Sequence, residues 1–304
     1  MSKMKVAGLG ELLWDLFGDE RKPGGAPANV AFQLNQLGMD GQIISRVGDD
    51  ELGNQIVDFL QSMELETAFI QRDSIHPTGT VTVSLDKSGT PSYVIHENTA
   101  WDHLALDTKL EKLLPELSAV CFGTLAQRSP VSCETIWTLL DAVPQNCLKV
   151  CDVNLRQDFF TKDQLEVSLE KSDITKMNDG EMEILKPILG LPAELDTVGS
   201  ALALCRKYDL RKVCITRAEK GCLLVSQNGE TADVPGKTVQ VADTVGSGDA
   251  FSAALIFTEL LGIPLPVQAR FANEVGTLVA TRSGGMPQLR EELAQLKRDF
   301  SIDA

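Results

Sequence analysis

The chain begins with a short apolar run, MKVAGLG at 4–10, that reads as a buried strand. In the following GGAPANVAFQLNQLG, Val30, Leu34 and Leu37 recur at helical spacing and Gly38 closes the element. QIISRVG at 42–48 predicts a second strand. ELGNQIVDFLQSM then places Leu52, Ile56, Phe59, Leu60 and Met63 on one face of a second helix. This is the strand–helix rhythm of a parallel sheet covered by helices. The rhythm breaks from 67 to about 97, where residues 80–85 alternate, 87–91 read as a turn and 92–96 as a returning strand. With the stretch after Gly10, this predicts a small β-rich lid over about 11–24 and 67–98.

Alternation resumes with strands at 118–123, 148–154, 212–216 and 221–226. Helices are expected near 130–142 and 162–171, and the last third reads as helical at 249–262, 265–282 and 289–298. No repeat, low-complexity tract or linker interrupts the chain. The expected architecture is one α/β domain over 1–304, a doubly wound, mostly parallel sheet flanked by helices, with the lid as a discontinuous insertion.

Composition narrows the partners. Of 304 residues, 43% are hydrophobic and 23% charged, and the net charge of −15 argues against nucleic-acid or membrane partners, which want basic patches. A local phosphate site survives that global sign, because screening limits surface charge to about 8 Å at physiological salt. The start of the chain lacks the pattern of a secretory leader, and no apolar stretch approaches the ~20 residues of a membrane span. Seven cysteines, mostly in apolar strand-like runs, read as buried reduced thiols, and the three histidines show no metal-ligand spacing. The expected location is the cytoplasm.

The chemistry concentrates in VADTVGSGDAFSAALIFTELLG. Gly246, Ser247 and Gly248 stand at the start of a strongly helical run, where unpaired amides and the helix dipole favour an anion. Asp249 follows directly. Two readings of it stay open on spacing alone: a helix cap, or a base that takes a proton from a hydroxyl attacking a γ-phosphate. No GxGxxG follows the first strand and no GxxxxGK[ST] is present, which sets aside a dinucleotide oxidoreductase and a Walker-type NTPase.

DTVGSGDAF at 243–251 resembles the C-terminal motif of the PfkB (ribokinase-like) carbohydrate kinases, and GGAPANVA at 24–31 resembles their N-terminal motif. The resemblance implies ATP-dependent phosphorylation of a sugar, with Asp249 as base and Gly246, Ser247 and Gly248 as anion hole. It also implies that Gly24 and Gly25 approach the sugar, and that Asn29 and Asp15 bind its hydroxyls. Asp15 as a solvated loop charge is the alternative. CDVNLRQDF at 151–159 is similar to the family's D-x-N-x-R segment, so Arg156 would neutralise phosphate or hold a substrate carboxylate, unless it is a surface ion pair. NDGE at 178–181 is similar to N-x-x-E, implying Asn178 near the ATP phosphates and Glu181 holding Mg²⁺ through water, with Asp179 a lesser helper. TRAEKG at 216–221 aligns with a nucleotide loop, offering Thr216 and Gly221, with Ala218 where a glycine is common. Asn273 matches a position beside adenine. The family also implies a K⁺ ion held by Asp243 and carbonyls near 282–285.

Fructose is the expected sugar, because GELLWD, GGAPANVA and SYVIHENTAWDHL look most like bacterial fructokinases. Glu97 in the lid would bind a neutral sugar and repel a carboxylate, which disfavours 2-keto-3-deoxygluconate. Ribose is a further alternative, and a sugar-binding regulator without catalysis is the alternative of another class. The partners expected are ATP, a small sugar and a second copy of the chain, paired through the lid.

Overall fold

The computed structural model describes residues 3–85 and 91–302. The chain runs β1 (Lys5–Leu9), β2 (Leu13–Phe17), β3 (Glu20–Gly24), α1 (Ala26–Leu37), β4 (Asp40–Gly48), α2 (Glu51–Ser62), β5 (Ile70–Asp73), β6 (Gly79–Leu85) and β7 (Pro91–Ile95). It continues through α3 (Thr108–Leu113), β8 (Leu117–Gly123), α4 (Pro130–Ala142), β9 (Leu148–Asp152), α5 (Lys162–Glu170), β10 (Ile174–Asn178), α6 (Asp179–Ile188) and α7 (Thr197–Tyr208). β11 (Lys212–Thr216), β12 (Cys222–Ser226), β13 (Thr231–Val234), α8 (Ser247–Leu260), α9 (Leu265–Ala280) and α10 (Arg290–Asp299) complete it.

Nine strands form one sheet in the order β13-β12-β11-β10-β9-β8-β1-β4-β5. All pairs from β11 to β5 are parallel, and β12 and β13 add an antiparallel edge. Strand alternation divides the core. Val6 and Val150 face α1, α8 and α9, whereas Ala7 and Cys151 face the other helical layer. α8 is apolar all round, Ala250 to Thr258 being buried without interruption, because it lies between the sheet and its neighbours α1 and α9. The chain steps from β1 to β4 and β5 on one side, then returns to β8 on the other. This reversal opens a crevice at the carboxyl ends of β1 and β8, the usual ligand position in such sheets.

A second sheet, β3-β2-β6-β7, stands apart, as the broken rhythm predicts. Ile70–Asp73, expected within the lid, instead pairs in parallel with β4 in the main sheet. Its burial explains this, since Ile70 packs against Val47 and Ile56 in a core that two hairpin strands could not provide. The turn expected at 87–91 lies, up to its last residue, outside the described residues. β10, α6, α7 and β13 were not expected. All seven cysteines are buried and unpaired, and no helix among the described residues is long and apolar enough to cross a membrane.

Candidate active site

Gly246 caps α8 in the left-handed conformation, φ 78°, and a β-carbon there would meet Gly285 Cα at 2.5 Å. Only glycine satisfies both conditions. The turn aims the first amides of α8 outward, and those of Gly248 and Asp249 have no acceptor earlier in the helix. Ser247 Oγ donates to the Gly276 carbonyl at 2.9 Å, pinning this end of α8 to α9.

Asp249 is half-buried just inside that helix end and accepts a hydrogen bond from Asn29 Nδ2 at 2.7 Å. Two motifs separated by 220 positions thus meet directly. Burial, reinforced by the Asp152 charge, pushes the Asp249 carboxyl up to about 6, against the opposing pull of Asn29, Lys176 and Arg156. A helix cap would accept a backbone amide from its own first turn; Asp249 accepts a side chain from another helix instead, so the capping alternative loses its ground.

Behind Asp249 lies a buried network. Lys176 Nζ, on β10, sits 3.0 Å from both carboxylate oxygens of Asp152 at the end of β9, and Ser252 Oγ donates to Asp152 at 2.8 Å. Desolvation opposes the Lys176 charge, but Asp152, Glu181 and Asp249 outweigh it and hold the ammonium above its ordinary value. A β-carbon on Gly248 would lie 3.0 Å from Lys176 Nζ, so this charge sits directly beneath the glycine turn.

On the side of the small sheet, a β-carbon on Gly24 would meet Asp15 Oδ2 at 2.6 Å, and Gly25, φ 113°, closes on the Glu11 carbonyl. Desolvation lifts Asp15 to about 6, while Arg156 lowers it. Glu11, at the crevice beyond β1, accepts from the Ala26 amide at 3.2 Å, and its other oxygen is buried without a partner. Burial raises it to about 7, with Asp249 adding to the shift and Arg156 opposing it. Arg156 is exposed on the loop after β9 and acts electrostatically on all three carboxyls. Glu97 is exposed beyond β7, and no hydrogen bond or ion pair among the described residues joins it to this cluster.

Asn178 caps α6, accepting from the Glu181 amide at 2.8 Å, while Glu181 accepts from the Asn178 and Leu155 amides at 2.7 and 2.8 Å. The buried Glu181 therefore ties the loop carrying Arg156 to α6. Asp179 is exposed beside it. Among the described residues no group of three or more metal-ligating side chains occurs. Glu181, with both oxygens held by amides, is the carboxylate that would meet Mg²⁺ through water, and Mg²⁺ prefers few protein carboxylates.

Thr216 ends β11 opposite Cys222, and the adjoining Gly221, φ 90°, packs against the Val234–Gly236 backbone. Asn273 Nδ2 lies 3.5 Å from the Pro235 carbonyl, so Gly221 and Asn273 meet the same segment after β13, while Thr216 Oγ1 lies 3.5 Å from the Met177 carbonyl. Ala218 adopts φ 48°, taking up the glycine-like conformation at its own expense. Asp243 accepts from the Val245 amide at 3.1 Å and the Gly284 amide at 3.0 Å, and lies 3.4 Å from Lys22 Nζ. Lys22 thus already sets a positive charge against the carboxylate expected to hold K⁺.

Sequence reasoning missed Glu11, Asp152, Lys176 and Ser252. Glu11 and Asp152 stood inside the motifs GELLWD and CDVNLRQDF, where Asp15 and Arg156 drew the attention, and Lys176 lay two positions before NDGE. A lysine between Thr175 and Met177, in a run that Ile174 begins, was the available signal, because a charge buried there demands partners.

The model of the pfkB family of carbohydrate kinases matches residues 10–292. The uncharacterized sugar kinase PH1459 of Pyrococcus horikoshii is 32% identical over 306 residues, covering 94% of this chain and 93% of its own. Its crystal structure in complex with ATP superposes with a TM-score of 0.80 at 30% identity, covering 96% of this chain and 99% of that one. The fructokinase of Escherichia coli is 28% identical, covering 96% and 99%.

Proposed function

The chain belongs to the pfkB family of carbohydrate kinases, and from that premise we propose that it transfers the γ-phosphate of ATP to a primary hydroxyl of a small neutral sugar, fructose first. Phosphotransfer as such follows from the family. The choice of sugar rests on relatives such as the Escherichia coli fructokinase and on the fructokinase-like motifs. Glu97 lends that choice no support, being unconnected to the cluster. Arg156 is available to a substrate carboxylate, which keeps 2-keto-3-deoxygluconate as the alternative.

The single observation that carries the mechanism is the half-buried hydrogen bond between Asn29 and Asp249 at the amino end of α8. The sugar is bound by Asp15, Asn29 and the Gly24–Gly25 turn beneath the small sheet. Asp249 takes the proton from its attacking hydroxyl, and that oxygen displaces ADP from the γ-phosphorus in line. The amides at Gly248 and Asp249 and the ammonium of Lys176 oppose the charge that develops on the phosphoryl oxygens. Arg156 adds a second positive charge from the loop above β9. Thr216, Gly221 and Asn273 would line the nucleotide side, with Asn178 near the phosphates. Mg²⁺, held through water by Glu181, would neutralise the nucleotide phosphates. Closure of the small sheet excludes water from the transfer.

Tyr93, Val94 and Phe17 expose apolar surface on the small sheet, which supports pairing of two such sheets in a dimer. The test of function is ATP turnover with Mg²⁺ against fructose, 2-keto-3-deoxygluconate, ribose and tagatose. A fructose kcat/KM at least tenfold above the rest is expected. Preference for the keto-acid would keep the kinase and change its sugar, and no turnover on any sugar would leave a sugar-binding protein.

A further inference from the structure

We propose that the Lys22 ammonium serves as a built-in monovalent cation for the anion-hole loop, delivered by the small sheet. The inference rests on the kinase reading and extends it to how the loop is held.

Lys22 lies on β3, in register opposite Asp15 on β2, so one hairpin carries both a sugar-binding carboxylate and this charge. Its Nζ, 5.4 Å from the centre of the Phe17 ring on β2, donates to Ser283 Oγ at 2.8 Å and approaches Asp243 Oδ2 at 3.4 Å. Asp243 in turn holds the Val245 and Gly284 amides. These contacts knot together the two loops that flank the α8 turn, residues 243–246 and 282–285.

The knot acts on the reacting groups through Gly285. A β-carbon on Gly285 would meet Asn29 Nδ2 at 2.6 Å, and one on Gly246 would meet Gly285 Cα at 2.5 Å. A shift of the 283–285 segment therefore moves both the cap of α8 and the amide that orients Asp249. Lys22 is thus a positioning residue. Burial works against the Asp243 charge, but the two amides and Lys22 hold its carboxyl below the usual range, so it stays ionised and in need of a cation. An exposed lysine–carboxylate pair alone contributes little. Here both partners are half-buried, with side-chain exposures of 35% and 21%, and the lysine has a second anchor in Ser283. A free K⁺ would have to share one carboxylate with an ammonium of the same sign.

Because Lys22 travels with the small sheet, opening that sheet withdraws the charge and loosens the anion hole. Closing over the sugar restores it. Hydrolysis of ATP without sugar is thereby disfavoured by the same contact that completes the site.

Turnover of fructose and MgATP should be compared in K⁺, Na⁺ and tetramethylammonium salts of equal ionic strength, for wild type, Lys22→Gln and Lys22→Arg. Wild type and Lys22→Arg should vary less than about twofold among the salts. Lys22→Gln should lose about tenfold or more in kcat in tetramethylammonium, with little change in the KM for fructose, and regain most of it in K⁺, as expected for lost charge beside an anion hole. A second reading needs no turnover: in thermal melts of the ligand-free protein, K⁺ should raise the Tm of Lys22→Gln and leave wild type unchanged. A wild type that needs K⁺, or a Lys22→Gln variant indifferent to salt in both assays, overturns the proposal. Should no sugar be turned over, the kinase reading falls on that result while the melts still decide the role of Lys22.

Discussion

Replacing Asp249 by Asn removes a charge that the fold holds unfavourably, so the variant should be more stable and far slower at once. The carboxyl titrates at about 6 in the folded protein against 3.8 unfolded. The folded chain therefore binds the extra proton between these values, and stability falls as pH rises through that window. The penalty is absent below the unfolded value and complete above the folded one. At about 1.4 kcal/mol per unit it amounts to about 3 kcal/mol at pH 7.5 and about 1 kcal/mol at pH 4.5. Asn keeps the shape and can still accept from Asn29, so it recovers this penalty. With an unfolding entropy of ~2.1 cal/mol/K per residue, the gain at pH 7.5 corresponds to a Tm higher by about 5 °C, shrinking to about 2 °C at pH 4.5. The same substitution should lower kcat ~10²–10⁴-fold with ATP affinity nearly unchanged. Calorimetric melts at the two pH values and steady-state kinetics measure both effects. A Tm gain that does not depend on pH, or no gain at all, would refute the burial argument, and comparable turnover would remove Asp249 from the role of base.

For wild type, kcat/KM should rise with pH through about 6 as Asp249 ionises, then level off; a flat profile from pH 5 to 7 would contradict the half-buried base. Lys176→Met should cost about 3–5 kcal/mol, because it leaves Asp152 buried without its cation, and should move the acid limb of that profile upward. An unmoved limb would mean that Lys176 serves stability alone. Gly246→Ala should destabilise by more than about 2 kcal/mol and abolish most turnover, since the new methyl would overlap Gly285 in a left-handed turn. Ala218→Gly should raise stability by up to about 1 kcal/mol by relieving its positive φ, with the KM for ATP little changed; a loss of stability would show that the alanine conformation is unstrained.

How much of this could be read from the sequence follows from how local each feature is. Asp249 and the 246–248 turn were legible because a glycine-rich stretch and the helix it begins are contiguous, so their chemistry is written within a few residues. The strand–helix rhythm was legible for the same reason. Ile70–Asp73 was misplaced because four residues, two of them charged, carry too little pattern to say which sheet they join. α6 and α7 escaped because their apolar faces are broken by Pro187 and by small residues such as Gly199 and Ser200.

The site itself has a second kind of hidden content, which is the satisfaction of charge. Asp152, Lys176 and Ser252 lie on β9, β10 and α8, and only the register of two parallel strands brings the first two within 3.0 Å. Nothing in their spacing announces that contact. The same holds for Lys22 and Asp243, which are 221 positions apart and meet because the small sheet folds over the far loops. The motif reading paired Asp243 with an external cation, and the fold sets the Lys22 ammonium 3.4 Å from the same carboxylate. The contact has a general physical form: a buried or half-buried charge must be matched, and whether the match is an ion or a side chain is decided by tertiary contacts. In this chain a side chain stands there, and it belongs to the small sheet.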